Sequence, residues 1–294
     1  MTSFKKPLIA IASAVALVGT MLIAGPAIAS SATLTVAGAS PASAGTSSAS
    51  AIALPVPSDN DVSSADALRI SLSGVTAGSN VVVTATNAKI VTAVTSGSTT
   101  VKVDSGVSTA TIATGTGTTA DVYVYTTTTE TGTVVVTANN NTTTYYVKGT
   151  AGSAYNLTVV APLVANLGAS VEVAATVTDV FGNAVTNASI SSTVIRGSIG
   201  AFSYDATDKR YEATLTAPAT AGTTVIANTI TASAVEGLAK PATEVVSSIS
   251  VADLAGQVAV LQAKVSTMVT AKKYNNLVKK FNKITKGKKA KLVK

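Results

Sequence analysis

Val171-Glu172-Val173-Ala174-Ala175-Thr176-Val177-Thr178-Asp179-Val180-Phe181-Gly182-Asn183-Ala184-Val185 is the stretch on which the fold turns. Its first nine residues alternate apolar with polar or small side chains, and a period of two puts one set on a buried sheet face. The strand then stops at turn chemistry. Asp179 and Asn183 are residues whose short side chains bond the local backbone, Gly182 permits positive φ, and Val185 starts the inward face of the next strand. Working outward, Tyr155-Asn156-Leu157-Thr158-Val159-Val160 precedes it, and Ala188 to Val194, Tyr211 to Thr216 and Val225-Ile226-Ala227 follow. Regular short strands with turn punctuation and no intervening helical period predict an all-β sandwich.

Taken together, Val173 to Val185 with its D-x-x-G-N-x-V order, Ala188 to Val194, Tyr211 to Thr216 and Ala221-Gly222-Thr223 before Val225 to Ala227 resemble the bacterial Ig-like group 1 domains of invasin- and intimin-type surface proteins. The resemblance covers residues 154–251. It implies a module that projects something from a cell surface, with no chemistry of its own.

Upstream the same rhythm continues without that motif. Leu68-Arg69-Ile70-Ser71-Leu72, Val101-Lys102-Val103 and Asp121-Val122-Tyr123-Val124-Tyr125 alternate, separated by Gly and Asn clusters such as Gly78-Ser79-Asn80 and Asn139-Asn140-Asn141. Residues 59–150 are therefore expected to form a β-sandwich, Ig-like by strand rhythm alone, and 151–250 the Ig-like sandwich proper. Residues 30–58, rich in Ser, Ala and Pro, read as a linker with one short strand at Ala32 to Val36. Residues 1–29 read as a signal peptide: Lys5 and Lys6, an apolar run from Leu8 to Ala24, then Ala27-Ile28-Ala29 before a cleavage site ahead of Ser30. Retention of that run as a membrane anchor is the alternative.

Composition narrows the chemistry. The 294 residues include no His, Cys or Trp. Ser-His-Asp triads, thiol nucleophiles, disulfides and His- or thiolate-bound metals are thereby excluded, leaving carboxylates, Lys, Tyr, Ser and Thr as possible reactive groups. The chain is expected to be no enzyme, with no catalytic residue, cofactor or metal site. The tightest acidic group, Asp205, Asp208 and Glu212 beside Lys209 and Arg210, reads as a hairpin turn with solvated charges.

After Ser250 the period changes. Val251, Leu254, Val258, Leu261, Val265 and Met268 are spaced 3, 4, 3, 4, 3, an a/d seam of a helix over 251–271 that either packs on its own sandwich or pairs in a short coiled coil. Beyond it, apolar residues reappear on a displaced face at Tyr274, Leu277, Val278, Phe281 and Ile284. Either one helix continues through a stutter or two helices meet near residues 270–273. Residues 272–294 read as a Lys-rich tail. They hold ten lysines, Lys272, Lys273, Lys279, Lys280, Lys283, Lys286, Lys288, Lys289, Lys291 and Lys294, and no acid, whereas residues 30–271 hold nine basic and fourteen acidic residues.

Such a tail suits an anionic envelope polymer or a membrane surface, or is simply solvated; nucleic acid is not expected. The sequence thus describes a secreted, cell-surface protein, structural or adhesive, held at the cell envelope by its basic end. A surface-layer coat subunit and a carbohydrate-binding accessory module are the alternatives, and homo-oligomerisation through the helix is a further expectation.

Overall fold

The structure, a computed structural model, describes residues 30–235, 237–268 and 271–284. The expected signal segment, with Ala27 and Ala29, lies outside the described residues, and Ser30 is the first of them. The first sandwich is built from β1 (Ser31–Val36), β2 (Ile52–Pro55), β3 (Leu68–Ser73), β4 (Asn80–Thr86), β5 (Lys89–Val91), β6 (Thr109–Ala113), β7 (Thr119–Tyr125), β8 (Thr131–Ala138) and β9 (Asn141–Thr150). The second uses β10 (Asn156–Val160), β11 (Val164–Asn166), β12 (Ser170–Thr178), β13 (Ser191–Ile195), β14 (Ser198–Ile199), β15 (Ser203–Asp205), β16 (Arg210–Thr216), β17 (Gly222–Thr229) and β18 (Glu244–Ala252). Two helices follow, α1 (Leu254–Met268) and α2 (Ala271–Ile284).

Both sandwiches repeat one topology. The sheet β1-β3-β7-β5 corresponds strand for strand to β10-β12-β16-β14, and β2-β9-β8-β4 to β11-β18-β17-β13. In each case this is the A-B-E-D sheet facing G-F-C of an Ig-like sandwich. Each also splits its first strand: β1 and β10 pair antiparallel in one sheet, then β2 and β11 cross over to run parallel to the last strand, β9 or β18. That crossover covers an edge that would otherwise offer unpaired backbone groups to another chain. The upstream sandwich is therefore Ig-like on strand order, although it lacks the D-x-x-G-N turn; it adds β6 beside β4, where the second instead adds β15 beside β16.

Residues 30–58 differ from the linker expectation. β1 pairs along its whole length with β3, and Ile52 and Leu54 on β2 are fully buried in the first core, against the strand that carries Val147. Alternation over four residues is too short to stand out in a Ser- and Ala-rich segment. Its partner strand lies far along the chain, where no local period reveals it. The strands that frame the core alternate cleanly, as in β4 and β8, so Val81, Val83, Val134 and Val136 fill it from one sheet and Leu68, Ile70, Val122 and Val124 from the other.

Asn139 and Asn140 turn β8 into β9 with φ of 50° and 62°, a left-handed pair that Asn tolerates. Asn139 also closes the outer end of this sandwich: its Oδ1 accepts from Thr76 N at 2.8 Å and its Nδ2 donates to Gly74 O at 2.8 Å.

The second core divides into two clusters, one around Leu215, Ile226, Ile249 and Val251, the other around Leu157, Val177, Val185 and Tyr211. Val251, expected to open the helical seam, is instead a buried residue of β18 paired with Gly222 and Ala165. Ile249 and Val251 keep the period of two, and Val251 to Leu254 spans three residues only because the strand joins the helix there.

Burial pushes the phenols of Tyr125, Tyr145 and Tyr211 up from their ordinary value. Tyr211 Oη donates to Val185 O at 2.8 Å and accepts from Ala188 N at 2.6 Å, and Tyr125 Oη donates to Val103 O. A phenolate can make neither donated bond. Because the folded-state value lies above the unfolded one, the contribution is complete below about pH 10 and is lost as pH rises through the folded value. Denaturant midpoints are expected to hold constant from neutrality to about pH 10 and to fall above it. A midpoint that falls by pH 9 contradicts this assignment.

Candidate functional site

The turn that decides the fold also joins the modules. Asp179 is 1% exposed. Its Oδ1 accepts from the backbone N of Phe181 and of Asn183, both at 2.9 Å, and its Oδ2 from Gly152 N, in the segment between the sandwiches, at 3.0 Å. The Asn183 amide donates to both carboxylate oxygens, at 3.2 and 2.9 Å. Gly182, at φ 88°, makes the reversal and gives Gly182 N to Asp179 O at 3.1 Å. Val185 is buried and continues the β12 side of the turn through Val185 N to Val177 O.

Asn183 then reaches across. Its Nδ2 donates to Thr127 O at 2.9 Å, and its Oδ1 accepts from Thr129 N at 3.2 Å, both in the loop between β7 and β8 of the first sandwich. That loop is shaped by Thr126, 1% exposed, whose Oγ1 lies within hydrogen-bond distance of Asn87 O, Thr128 O and Thr128 N. Gly149 on β9 lets it close: a Cβ there would stand 2.0 Å from Thr128 O. The sequence marked Asp179, Gly182, Asn183 and Val185 as turn formers. It gave no sign of Gly152, or of Thr127 and Thr129, which sit in a run of like threonines; all three are reached only through the tertiary fold.

A cleft of about 320 Å³ lies beside the junction, lined by Pro57, Gly152, Tyr155, Asp179, Thr231 and Val235 among others. Its one carboxylate is the one already saturated by these donors. Outside it, Asp205, Asp208 and Glu212 each place a carboxylate oxygen within 4.8 Å of the others on the hairpin that joins β15 to β16. Asp205 Oδ1 caps the turn, accepting from Thr207 N and Asp208 N, and these backbone donors hold its carboxyl below the ordinary range. Arg210 supplies the positive charge, at 2.9 Å from Glu212, 2.6 Å from Glu172 and 3.6 Å from Asp208.

At the opposite end of the second sandwich the loop equivalent to 126–130, residues 217–221, has a different partner. Arg196, in the turn after β13, donates from Nη2 to Thr220 O at 2.9 Å, Thr220 Oγ1 at 2.8 Å and Ala221 O at 3.0 Å. The helices leave from the same end. Asp253 Oδ1 accepts from Gly256 N at 2.7 Å, capping α1, and Asn166 Oδ1 accepts from Leu254 N at 3.1 Å.

The seam does not pack on the sandwich: Leu254, Val258, Leu261 and Val265 are 39–59% exposed. The side chain of Met268 lies outside the described residues. Of the two continuations the sequence allowed, the chain forms two helices, so Lys272, Lys273, Lys279, Lys280 and Lys283 belong to α2 rather than to an irregular tail, and all five are exposed. Tyr274, Leu277 and Phe281 are 46–66% exposed beside a buried Val278. Lys286, Lys288, Lys289, Lys291 and Lys294 lie outside the described residues. Among the described residues no helix is long and apolar enough to cross a membrane.

Strand order and junction together define a class: a tandem of Ig-like β-sandwiches locked end to end, followed by helices. No protein-family model matches the sequence, and no curated protein does. Among solved structures, invasin, a bacterial integrin-binding protein, is similar over 76% of this chain and 40% of its own at 15% identity and a TM-score of 0.32. FdeC, an Escherichia coli adhesin, is similar over 78% of this chain and 66% of its own at 19% identity and a TM-score of 0.41. Domains 4 and 5 of the S-layer protein SbsC are similar over 42% of this chain and 65% of theirs at 18% identity and a TM-score of 0.27. The chain thus spans 40%, 66% and 65% of these neighbours, and the likeness is one of fold.

Proposed function

We infer that this protein is an exported, non-catalytic envelope protein in which two Ig-like sandwiches form a stiff spacer, structural or adhesive, held at the cell surface by the basic C-terminal helices. The observation that carries this reading is the clamp of Asp179 and Asn183 on Gly152, Thr127 and Thr129, which leaves little freedom between the modules. A junction so saturated suits a part that transmits position. The signal-peptide pattern of residues 1–29, the missing His and Cys, and the lysines of α2 support export, a non-chemical role and retention by an anionic surface.

Treating intact host cells with protease and sequencing the N-terminus of the cell-associated chain tests this. The expected result is a chain that begins at Ser30 and is degraded from outside. A full-length chain in the cytoplasm, protected until lysis, overturns it. The exposed stripe Leu254, Val258, Leu261 and Val265 favours a second reading, a surface-layer coat subunit assembled through copies of α1. Light scattering separates the two: large ordered assemblies support the coat, a monomer the spacer.

A further inference from the structure

We propose that α2 is an interfacial helix that lies in the headgroup layer of an anionic lipid membrane. Tyr274, Leu277 and Phe281 enter the acyl boundary, and Lys272, Lys279, Lys280 and Lys283 reach the lipid phosphates. At ~100° per residue, Tyr274, Leu277, Val278, Phe281 and Ile284 fall within an arc of about 120°, Lys272, Lys279 and Lys283 lie on the opposite face, and Lys273 and Lys280 flank the arc. The structure leaves most of this arc open: the segment is helical, Leu277 is 66% exposed, and Phe281 and Tyr274 are each about half exposed, while Val278 at one edge of the arc is buried.

Three occupants compete for such a face. A hydrated polyanion would neutralise the lysines and leave Leu277 and Phe281 in water, so it accounts for half of the design. A second copy of α2 would cover the apolar arc, but lysines flank that arc, and residues 271–284 contain no Asp or Glu. Pairing would set rows of like charge together. A bilayer surface of anionic lipid satisfies both faces at once, because apolar side chains gain by leaving water while bordering lysines extend their stems to the phosphates. The inference rests on the envelope reading above and names the surface to which the basic end attaches.

The chain has no Trp, so Phe281→Trp supplies a single tryptophan, excited selectively over the tyrosines, on the proposed buried face. The protein as recovered from its host is mixed with phosphatidylglycerol vesicles, phosphatidylcholine vesicles or soluble polyphosphate. The expected result is a blue-shifted emission with phosphatidylglycerol vesicles only. Leu277→Ser/Phe281→Ser is expected to weaken binding to those vesicles roughly 30-fold or more. Lys279→Gln/Lys280→Gln/Lys283→Gln should weaken it roughly 10-fold or more, with the remaining affinity less sensitive to salt. The apolar run Leu8 to Ala24, where it is retained, is common to all variants and drops out of the differences. Serine variants that bind as the parent does, an equal response to polyphosphate, or a shift that grows with protein concentration without vesicles each overturn the proposal. Failure here leaves the cell-surface reading standing, and that reading fails separately on protease protection in intact cells.

Discussion

Asp179→Ala is expected to destabilise the second sandwich by about 3–5 kcal/mol, read as a shift of its denaturant transition with the first sandwich little changed. The carboxylate is buried and accepts from three backbone N–H groups as well as the Asn183 amide. Alanine leaves each donor without its acceptor. The sum of separate losses would be larger, but water can enter the space vacated and answer some of them. Asp179→Asn should rescue little, since its amide presents a donor to donors. Asn183→Ala keeps the carboxylate and its backbone bonds, so its cost should be about 1 kcal/mol, with the larger effect on the angle between modules in solution scattering. An Asp179→Ala shift below about 1 kcal/mol would show that the buried carboxylate is not what holds the turn.

Leu54→Ala is expected to cost about 2–5 kcal/mol of first-sandwich stability, and Ile52→Ala a similar amount. Both side chains are fully buried, and β2 pairs in parallel with β9, with Ile52 opposite Val147 and Leu54 opposite Gly149. In a flexible linker the same substitutions would stay within about 0.5 kcal/mol. Equilibrium unfolding distinguishes the two, and an unchanged midpoint returns residues 30–58 to the linker reading.

What could be read from the sequence followed from local periods. The alternation of residues 171–179, the hairpin of Asp205 to Arg210, the turn at Asp179 to Asn183 and the change of helical face near residue 270 each lie within a few positions of their cause. What escaped was set by pairing at a distance. β2 finds β9, and Asn183 finds Thr129 at a separation of 54 residues, so no window on the chain contains both partners. Val251 was misplaced for a related reason, because at a strand–helix join one residue fits both periods. The exposure of the α1 stripe was equally hidden, since spacing shows that a helix has an apolar side but not what faces it.

The contact that Arg196 makes with Thr220 and Ala221 bears on how long such a molecule can grow. The loop of the first sandwich accepts a neighbour, while the matching loop of the second is occupied by its own chain, and Asn139 shuts the outer end of the first. Among the described residues the joint is thus made once, between the 126–130 loop of the first module and the Asp179–Asn183 turn of the second. With strands of nine or ten residues, each module contributes roughly 30 Å, so the spacer proposed above would have a set length of about 60 Å. Arg196→Ala together with a copy of the Asp179–Asn183 turn on an added module would be the way to lengthen it.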